Sequence, residues 1–162
     1  MGVGKTTHGK KLANKLGYTF VDLDKRIEEF ANLSVSEIFE SKGEIYFREI
    51  ESKLLQELAQ SKVLISTGGG AVTNQQNLDF MLNCGLVIWF DCSIGIIETR
   101  VKTSLSKRPL LANIGPDKLY EFLENLYKQR ETLYQKAHLK FNTQSVSAET
   151  IEVWMQKVLN LS

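Results

Sequence analysis

Charge of one sign is what this sequence most lacks: 20 basic side chains stand against 19 acidic ones, a formal net charge of +1 at pH 7. Domains that work on nucleic acid usually carry a basic excess or stripe, so that class of partner is excluded as the main business. Long apolar runs are missing too. Stretches such as Leu86–Phe90 fall far short of the about 20 residues that a bilayer span needs, which excludes a membrane role of that kind. No basic-then-apolar segment opens the chain, and a cytoplasmic protein is expected. Cysteine and histidine are scarce, two of each, with no cysteine pair at metal spacing, so a His/Cys zinc site is excluded. Cys84 and Cys92 flank a strand-like run that would hold them about 26 Å apart at roughly 3.3 Å per residue, beyond disulfide reach. Two reduced, partly buried thiols are expected. Internal repeats, low-complexity tracts and linkers are absent as well.

What is present fits one globular domain. A chain of 162 residues with 43% apolar content lies in the usual single-domain range and can bury roughly two-thirds of its extended surface. Strand-like and helix-like runs alternate, which predicts an α/β fold with a parallel sheet covered by helices on both faces. Helical patterns cover Gly4–Leu16, closed by Gly17, then Lys25–Ala31 and Ser34–Ser41, the last opened by a Ser34/Glu37 capping box. A longer helix runs from Glu44 to Gln60 with Ile50, Leu54, Leu55 and Leu58 inward, and others cover Asn74–Asn83 and Ser93–Val101. Strands are expected at Tyr18–Val21, Val63–Ser66, Leu86–Phe90 and Leu139–Phe141. Residues 102–113 form a polar loop without apolar period. Pro116 starts a helix reaching about Lys136, and Ser147 caps a terminal helix with Ile151, Trp154, Val158 and Leu159 inward.

The strongest chemical signal is Gly2-Val3-Gly4-Lys5-Thr6-Thr7. Glycines let backbone N–H groups approach phosphate oxygens, and the helix that opens there adds unpaired donors and partial positive charge. Lys5 would reach the β- and γ-phosphates of a nucleoside triphosphate, and the Thr6 hydroxyl would complete a Mg²⁺ shell. The full motif also asks for a glycine five residues before Gly4 and a strand before that, and the sequence contains neither. Either this start lies inside the chain's own first loop, or the sheet tolerates a gap where a core strand belongs; without that strand, lower stability and weaker nucleotide binding than the motif promises are expected.

Asp22 and Asp24 stand at i and i+2 at a strand's C-terminal end, where extended geometry would point both to one side. Ligands bind at that edge of open α/β sheets, and paired acids there can divide the work, one helping to hold Mg²⁺ and one accepting a hydroxyl proton. Asp24 also reads as an N-cap for the helix that follows. Gly68, Gly69 and Gly70 follow a buried strand where a motor NTPase would place an acid. Three glycines there let backbone N–H groups approach a small ligand. Asp91 reads as a charge at the start of the next helix. Among the basic residues there are 15 lysines and only five arginines, at 26, 48, 100, 108 and 130, so the planar, bidentate groups are few and their placement is informative. Arg48 lies on the long helix, Arg108 in the polar loop, and Arg130 four residues before Tyr134. Plain ion pairs are open to them too, Arg48 with Glu44 or Glu51 and Arg130 with Glu131 or Glu124.

Taken in order, Gly-x-Gly-Lys-Thr-Thr, Asp22-x-Asp24, Gly43-Glu44-x-x-Phe47-Arg48, Gly68-Gly69-Gly70, Arg108-Pro109-Leu110-Leu111 and Arg130-x-x-x-Tyr134-x-x-Ala137 resemble the shikimate kinase family across essentially the whole chain. These are small monomeric kinases of the nucleoside-monophosphate-kinase type. The resemblance implies a three-layer P-loop fold in one domain, with a lid loop at about residues 102–113. It implies transfer of the ATP γ-phosphoryl group to the 3-hydroxyl of shikimate, in aromatic amino-acid biosynthesis. By the same resemblance Lys5, Asp24 and Arg108 are catalytic, and Gly2, Val3, Gly4, Lys5, Thr6, Thr7, Arg100 and Arg108 bind ATP. Asp24, Arg48, Gly68, Gly69, Gly70 and Arg130 bind shikimate, the two arginines clamping its carboxylate. Thr6 and Asp22 hold Mg²⁺, and Glu51 orients Arg48. Arg100 stacks on adenine, near a loop around Gln144. Two other readings stay open: a gluconate-type kinase of similar fold, and a binding module without catalysis.

Overall fold

Helices and strands alternate in the structure, a computed structural model that describes residues 2–102, 111 and 114–161. The first helix, α1, spans Lys5–Leu16 between two glycines in the left-handed region, Gly4 at φ 87° and Gly17 at φ 69°. Glycine occupies such positions without the Cβ penalty that other residues meet there. Strand β1 (Thr19–Asp22) runs directly into α2 (Leu23–Ala31), followed by α3 (Val35–Ser41) and α4 (Gly43–Leu58). The capping box expected at Ser34 is formed, its hydroxyl accepting from the Glu37 backbone N–H while the Glu37 side chain accepts from that of Ser34. Strand β2 (Val63–Ser66) leads through the glycines to a 3₁₀ turn at Ala71–Thr73 and to α5 (Gln75–Cys84). Then come β3 (Ile88–Asp91), α6 (Ile94–Lys102), a 3₁₀ turn at Pro116–Lys118, α7 (Leu119–Tyr134), β4 (Leu139–Asn142) and α8 (Ala148–Leu159).

The strands form two parallel pairs. In one, β1 pairs with β2 from Thr19 opposite Val63 to Asp22 opposite Ser66. In the other, β3 pairs with β4 from Ile88 opposite Leu139 to Asp91 opposite Asn142. Among the described residues no ladder joins the two pairs. Residues 2–4, ahead of α1, are loop.

Helix α1 packs on both pairs. A Cβ on Gly9 would lie 2.8 Å from the Phe20 ring of β1 and 3.4 Å from Leu64 of β2, so glycine permits close packing there. The preceding residue, His8, sets its ring edge-on to Phe90 of β3 and Trp154 of α8, with centroids 6.3 and 6.0 Å apart. One buried cluster accordingly takes Leu12 from α1, Phe141 from β4, and Ile151, Trp154 and Val158 from α8, with Leu64, Ile88 and Phe90 packed against it. A second cluster joins α2, α3 and α4 around Leu23, Ile38, Phe47 and Leu54. A third joins α6 and α7 through Val101, Leu111 and Leu119.

Several local expectations need correction. Asp24 is the second residue of α2 rather than an extended residue beside Asp22, because the helix begins at Leu23, whose fully buried side chain anchors it to the core. Asp22 occupies the N-cap position instead of Asp24. Pro116 begins a 3₁₀ turn, and the α-helix proper starts three residues later. Leu159 is half exposed, since the inward stripe of α8 ends at Val158. Cys84 is exposed and Cys92 buried, and both are free thiols. Asp91 ends β3 rather than starting α6, and it pairs with Lys140 at 2.9 Å.

Trp154 lies flat on Phe141, with centroids 4.7 Å apart and planes 5° from parallel, and it is 4% exposed. Trp154→Ala is expected to cost about 3–5 kcal/mol in urea unfolding. Val153→Ala, on the solvent side of the same helix at 54% exposure, is expected to stay within about 0.5 kcal/mol of the parent.

Candidate active site

The N-terminal glycines form a loop pressed onto α6. Gly2 has φ 71°, and a Cβ there would sit 2.9 Å from Val101 Cγ1. Arg100, one residue earlier on α6, donates from Nη1 to the Gly2 carbonyl and from Nη2 to the Thr143 carbonyl, both at 3.2 Å. Gly4 lies over the His8 ring, where a Cβ would come within 2.6 Å. From this loop α1 starts, and none of the first-turn side chains is acidic, which leaves the helix N-terminus free to favour an anion. Val3 packs against the α6–α7 cluster, and Thr7 is exposed. The Thr6 hydroxyl donates to Asp22 Oδ2 at 2.8 Å, joining the start of α1 to the end of β1.

Opposite the loop stand the second carboxylate, the three glycines and two arginines. At Gly68 a Cβ would lie 3.2 Å from Asp24 Oδ1 and 3.5 Å from Glu51 Oε1, so this glycine lets backbone come close to both acids. Gly70 does the same for Arg48, whose Nη2 would be 2.6 Å from an added Cβ. Arg48 donates from Nη1 to Glu51 Oε2 at 2.7 Å and from Nη2 to Glu44 Oε1 at 3.0 Å. The two ion-pair readings of Arg48 are thus both realised, but one partner, Glu51, is fully buried. For Arg130 they are not found: among the described residues Glu124 pairs with Lys128, and Glu131 accepts from the Tyr127 hydroxyl. Arg130 reaches Tyr134 instead, and the Tyr134 hydroxyl donates to the Gly69 carbonyl at 2.8 Å. Val3, Lys5, Gly68, Gly69, Arg130 and Tyr134 line one cavity of about 140 Å³.

Electrostatics agree with that convergence. Burial raises the pKa of Asp24, against the opposing pull of Lys5, with Asp22 and Glu28 adding to the rise. Glu51 is raised as well, by burial first, while Arg48 and Arg130 pull it down and Asp24 pushes it up. Charges from α1, α2, α4 and α7 therefore feel one another across a single space. Burial also lifts Tyr134, although Arg130 opposes it.

Residues 24, 48 and 130, together with the three glycines and Lys5, are brought to this cleft. Arg108 and nearly all of the expected lid lie outside the described residues. Arg100 does reach the phosphate loop, but through the Gly2 carbonyl. Sequence reasoning missed that tether and the bond from Tyr134 to Gly69; for the latter the signal was the four-residue spacing of Arg130 and Tyr134. The Thr6 hydroxyl and the Asp22 carboxylate make a hard oxygen pair of the kind Mg²⁺ takes alongside waters and phosphate oxygens. Among the described residues no group of three or more His, Cys, Asp or Glu converges as a metal cage, and no helix is long and apolar enough to cross a membrane.

A family model described as shikimate kinase matches residues 1–160. A curated shikimate kinase of Sulfurihydrogenibium sp. (strain YO3AOP1) is 37% identical over 160 residues, covering 98% of this chain and 93% of that protein. One from Synechococcus elongatus is 41% identical over 162 residues, covering 99% and 82% respectively. Among solved structures, shikimate kinase from Bacteroides thetaiotaomicron superposes with a TM-score of 0.87 at 36% identity, over 99% of this chain and 93% of that one. The enzyme from Acinetobacter baumannii in complex with shikimate gives a TM-score of 0.85 at 33% identity, over 99% and 87%. With matches of this length and identity behind a cleft of this composition, the chain belongs to the shikimate kinase family of ATP-dependent phosphotransferases.

Proposed function

We propose that this chain transfers the γ-phosphoryl group of ATP to the 3-hydroxyl of shikimate, releasing ADP and shikimate 3-phosphate. The observation that carries this reading is that Asp24 and Arg48 come close to Gly68 and Gly70, that Asp24, Arg48 and Arg130 all act on Glu51, and that Lys5 acts on Asp24. A polyol acid needs cations for its carboxylate, an acceptor for its reacting hydroxyl, and an enclosed space that keeps water from taking the phosphoryl group. All of these come from one chain, and we read it as active as a monomer with a three-layer P-loop architecture.

Arg48 and Arg130 grip the carboxylate from two helices, and Glu51 behind Arg48 fixes the plane of its guanidinium. The Gly69 backbone, held by Tyr134, presents itself to the substrate. Asp24, ionised, accepts the proton of the 3-hydroxyl as its oxygen bonds to the γ-phosphorus and the bond to the β,γ-bridging oxygen breaks. Lys5 and the backbone N–H groups of residues 2–7 hold the phosphates and meet the charge that moves onto ADP. Thr6 and Asp22 are the residues we assign to Mg²⁺, which when bound supplies charge neutralisation to the phosphates. Arg108 is assigned to the same phosphates on its sequence motif, and Arg100 to the adenine side of the loop.

Release of ADP with shikimate, gluconate and quinate tests the reading. Turnover with shikimate and background rates with the other two are expected; background rates with all three would defeat it. Within that assay Arg48→Ala and Arg130→Ala should each raise the KM for shikimate roughly tenfold to a hundredfold, the worth of a charged hydrogen bond, and leave the KM for ATP unchanged. Gly70→Ala is a subtler probe. Gly70 has φ −92°, so alanine meets no backbone strain there and its methyl displaces only the Arg48 guanidinium. Raised shikimate KM with an unchanged Tm is expected.

Asp24→Asn separates chemistry from stability. Loss of the base should lower kcat by about 10²–10⁴-fold. Because burial raises the Asp24 pKa, the native state binds more protons than the unfolded chain between the ordinary carboxylate range and the raised value. Stability therefore falls as pH rises through that window, and the loss persists at neutral pH. Asparagine removes it, so the variant should melt higher than the parent at pH 7 and show no such advantage below the ordinary carboxylate range.

A further inference from the structure

Every carbonyl of the glycine turn is held, each by a different residue. Gly68 O accepts from Ala71 N at 3.2 Å. Gly69 O accepts from the Tyr134 hydroxyl at 2.8 Å. Gly70 O accepts twice, from Thr73 N at 3.0 Å and from Thr73 Oγ1 at 2.7 Å. The N–H groups of Gly69 and Gly70, by contrast, donate to no backbone group among the described residues.

In a planar trans peptide the carbonyl and the N–H that share it point in opposite directions. Gly70 N–H shares its plane with the Gly69 carbonyl, so Tyr134 fixes where that donor points. Gly69 N–H shares its plane with the Gly68 carbonyl, which Ala71 N–H holds. Ala71 N–H in turn shares its plane with the Gly70 carbonyl that Thr73 holds. Two peptide planes thus relay the grip of the Thr73 hydroxyl to Gly69 N–H. Glycine backbone has the widest freedom to rotate away, and a donor that is already aimed binds its ligand at a smaller entropic cost.

The far end of the turn is tied down as well. Asn74 caps α5, its Oδ1 accepting from Gln76 N at 2.9 Å, and its Nδ2 donates to Ser52 Oγ at 3.5 Å. Ser52 Oγ donates to the Arg48 carbonyl at 2.9 Å. What still sets the planes of Gly68–Gly70 is the bonding of their own carbonyls. The N–H bond from Thr73 closes a 3₁₀ turn, where hydrogen-bond geometry is poor, and the hydroxyl makes the shorter of the two contacts. Thr73 is itself exposed, so its side chain does little for the core.

We infer that Thr73 is a positioning residue for the reaction, whose hydroxyl holds the Gly70 peptide so that Gly69 N–H stands aimed at the acceptor substrate. The inference rests on the kinase reading for what binds there. It does not rest on that reading for the lock, which the ligand-free chain reveals by its backbone dynamics.

Thr73→Val removes the hydroxyl and keeps the shape, and Thr73→Ser keeps the hydroxyl. In the isotope-labelled whole chain without ligand, an amide order parameter of about 0.85 is expected at Gly69 for the parent and for Thr73→Ser, falling toward about 0.6 for Thr73→Val. An unchanged Gly69 amide in Thr73→Val overturns the lock. In the ADP-release assay Thr73→Val should raise the KM for shikimate about two- to tenfold, the worth of one neutral hydrogen bond, with the KM for ATP and the Tm unchanged, and Thr73→Ser should return the parent value. A rise in both KM values together with a lower Tm would make Thr73 merely structural, and a loosened amide with an unchanged shikimate KM would deny it any part in binding. Tyr134→Phe is the second arm: it should loosen Gly70 and raise the shikimate KM further, because it also removes the contact of Tyr134 with Arg130. A parent without shikimate turnover defeats the kinase reading and the substrate named with it, while the amides still decide the lock.

Discussion

Glu51 is a carboxylate with no exposure to water, and much of the cleft is arranged around that fact. An isolated buried charge is costly, so it must be paired or neutralised. Arg48 pairs with one oxygen at 2.7 Å. The other oxygen, Oε1, finds no hydrogen-bond partner among the described residues and lies toward Gly68, where a Cβ would be 3.5 Å away. The pair thus holds the guanidinium in one plane while leaving negative potential in the cleft, and the raised Glu51 pKa reports the same imbalance. Arg48 can turn its remaining donors outward because Gly70 has no side chain in the way. What is a stability burden for the core is preorganisation for the site.

The glycines do more here than turn the chain. Gly68 allows Asp24 to approach, Gly70 allows Arg48 to approach, and Gly69 accepts from Tyr134. Any larger side chain at 68 or 70 would move a charged group rather than merely strain backbone. The Tyr134 bond adds a constraint from 65 residues away, and since Arg130 sits one helical turn before Tyr134, fixing the tyrosine also fixes where the arginine stands over the loop.

The residues of the site were legible in the sequence where their chemistry is uncommon and local. Gly2–Thr7 announces a phosphate loop by residue type and spacing, and the caps at Ser34 and Ser147 announce helices because each satisfies backbone donors within four residues. The arginines stood out because few are present. What stayed hidden is set by distance in the chain or by burial. That α2 starts at Leu23, so that Asp24 is helical, follows from the full burial of Leu23 in the α2–α4 cluster, which no periodicity over nine residues reveals. Leu159 continues the apolar spacing of α8, yet it is the last residue of the helix and stays 48% exposed. The hydrogen bonds of Arg100 to residues 2 and 143 are pairings between remote segments, on which sequence pattern is silent.

The site draws on both strand pairs. Asp24, Arg48 and Gly68–Gly70 are carried by the β1–β2 half and its helices. Arg130 and Tyr134 are carried by α7, which packs on β3 through Trp89, its ring 5.8 Å from that of Tyr134. The two pairs are tied by α1, which packs on both, by Tyr134 to Gly69, and by Arg100 to Gly2. Phosphoryl transfer tolerates little misplacement of donor and acceptor, so these ties set the distance between Arg130 and Asp24 as much as the side chains themselves do. A protein that kept every site residue but let the halves shift would hold all the chemistry and lose the alignment that makes it productive.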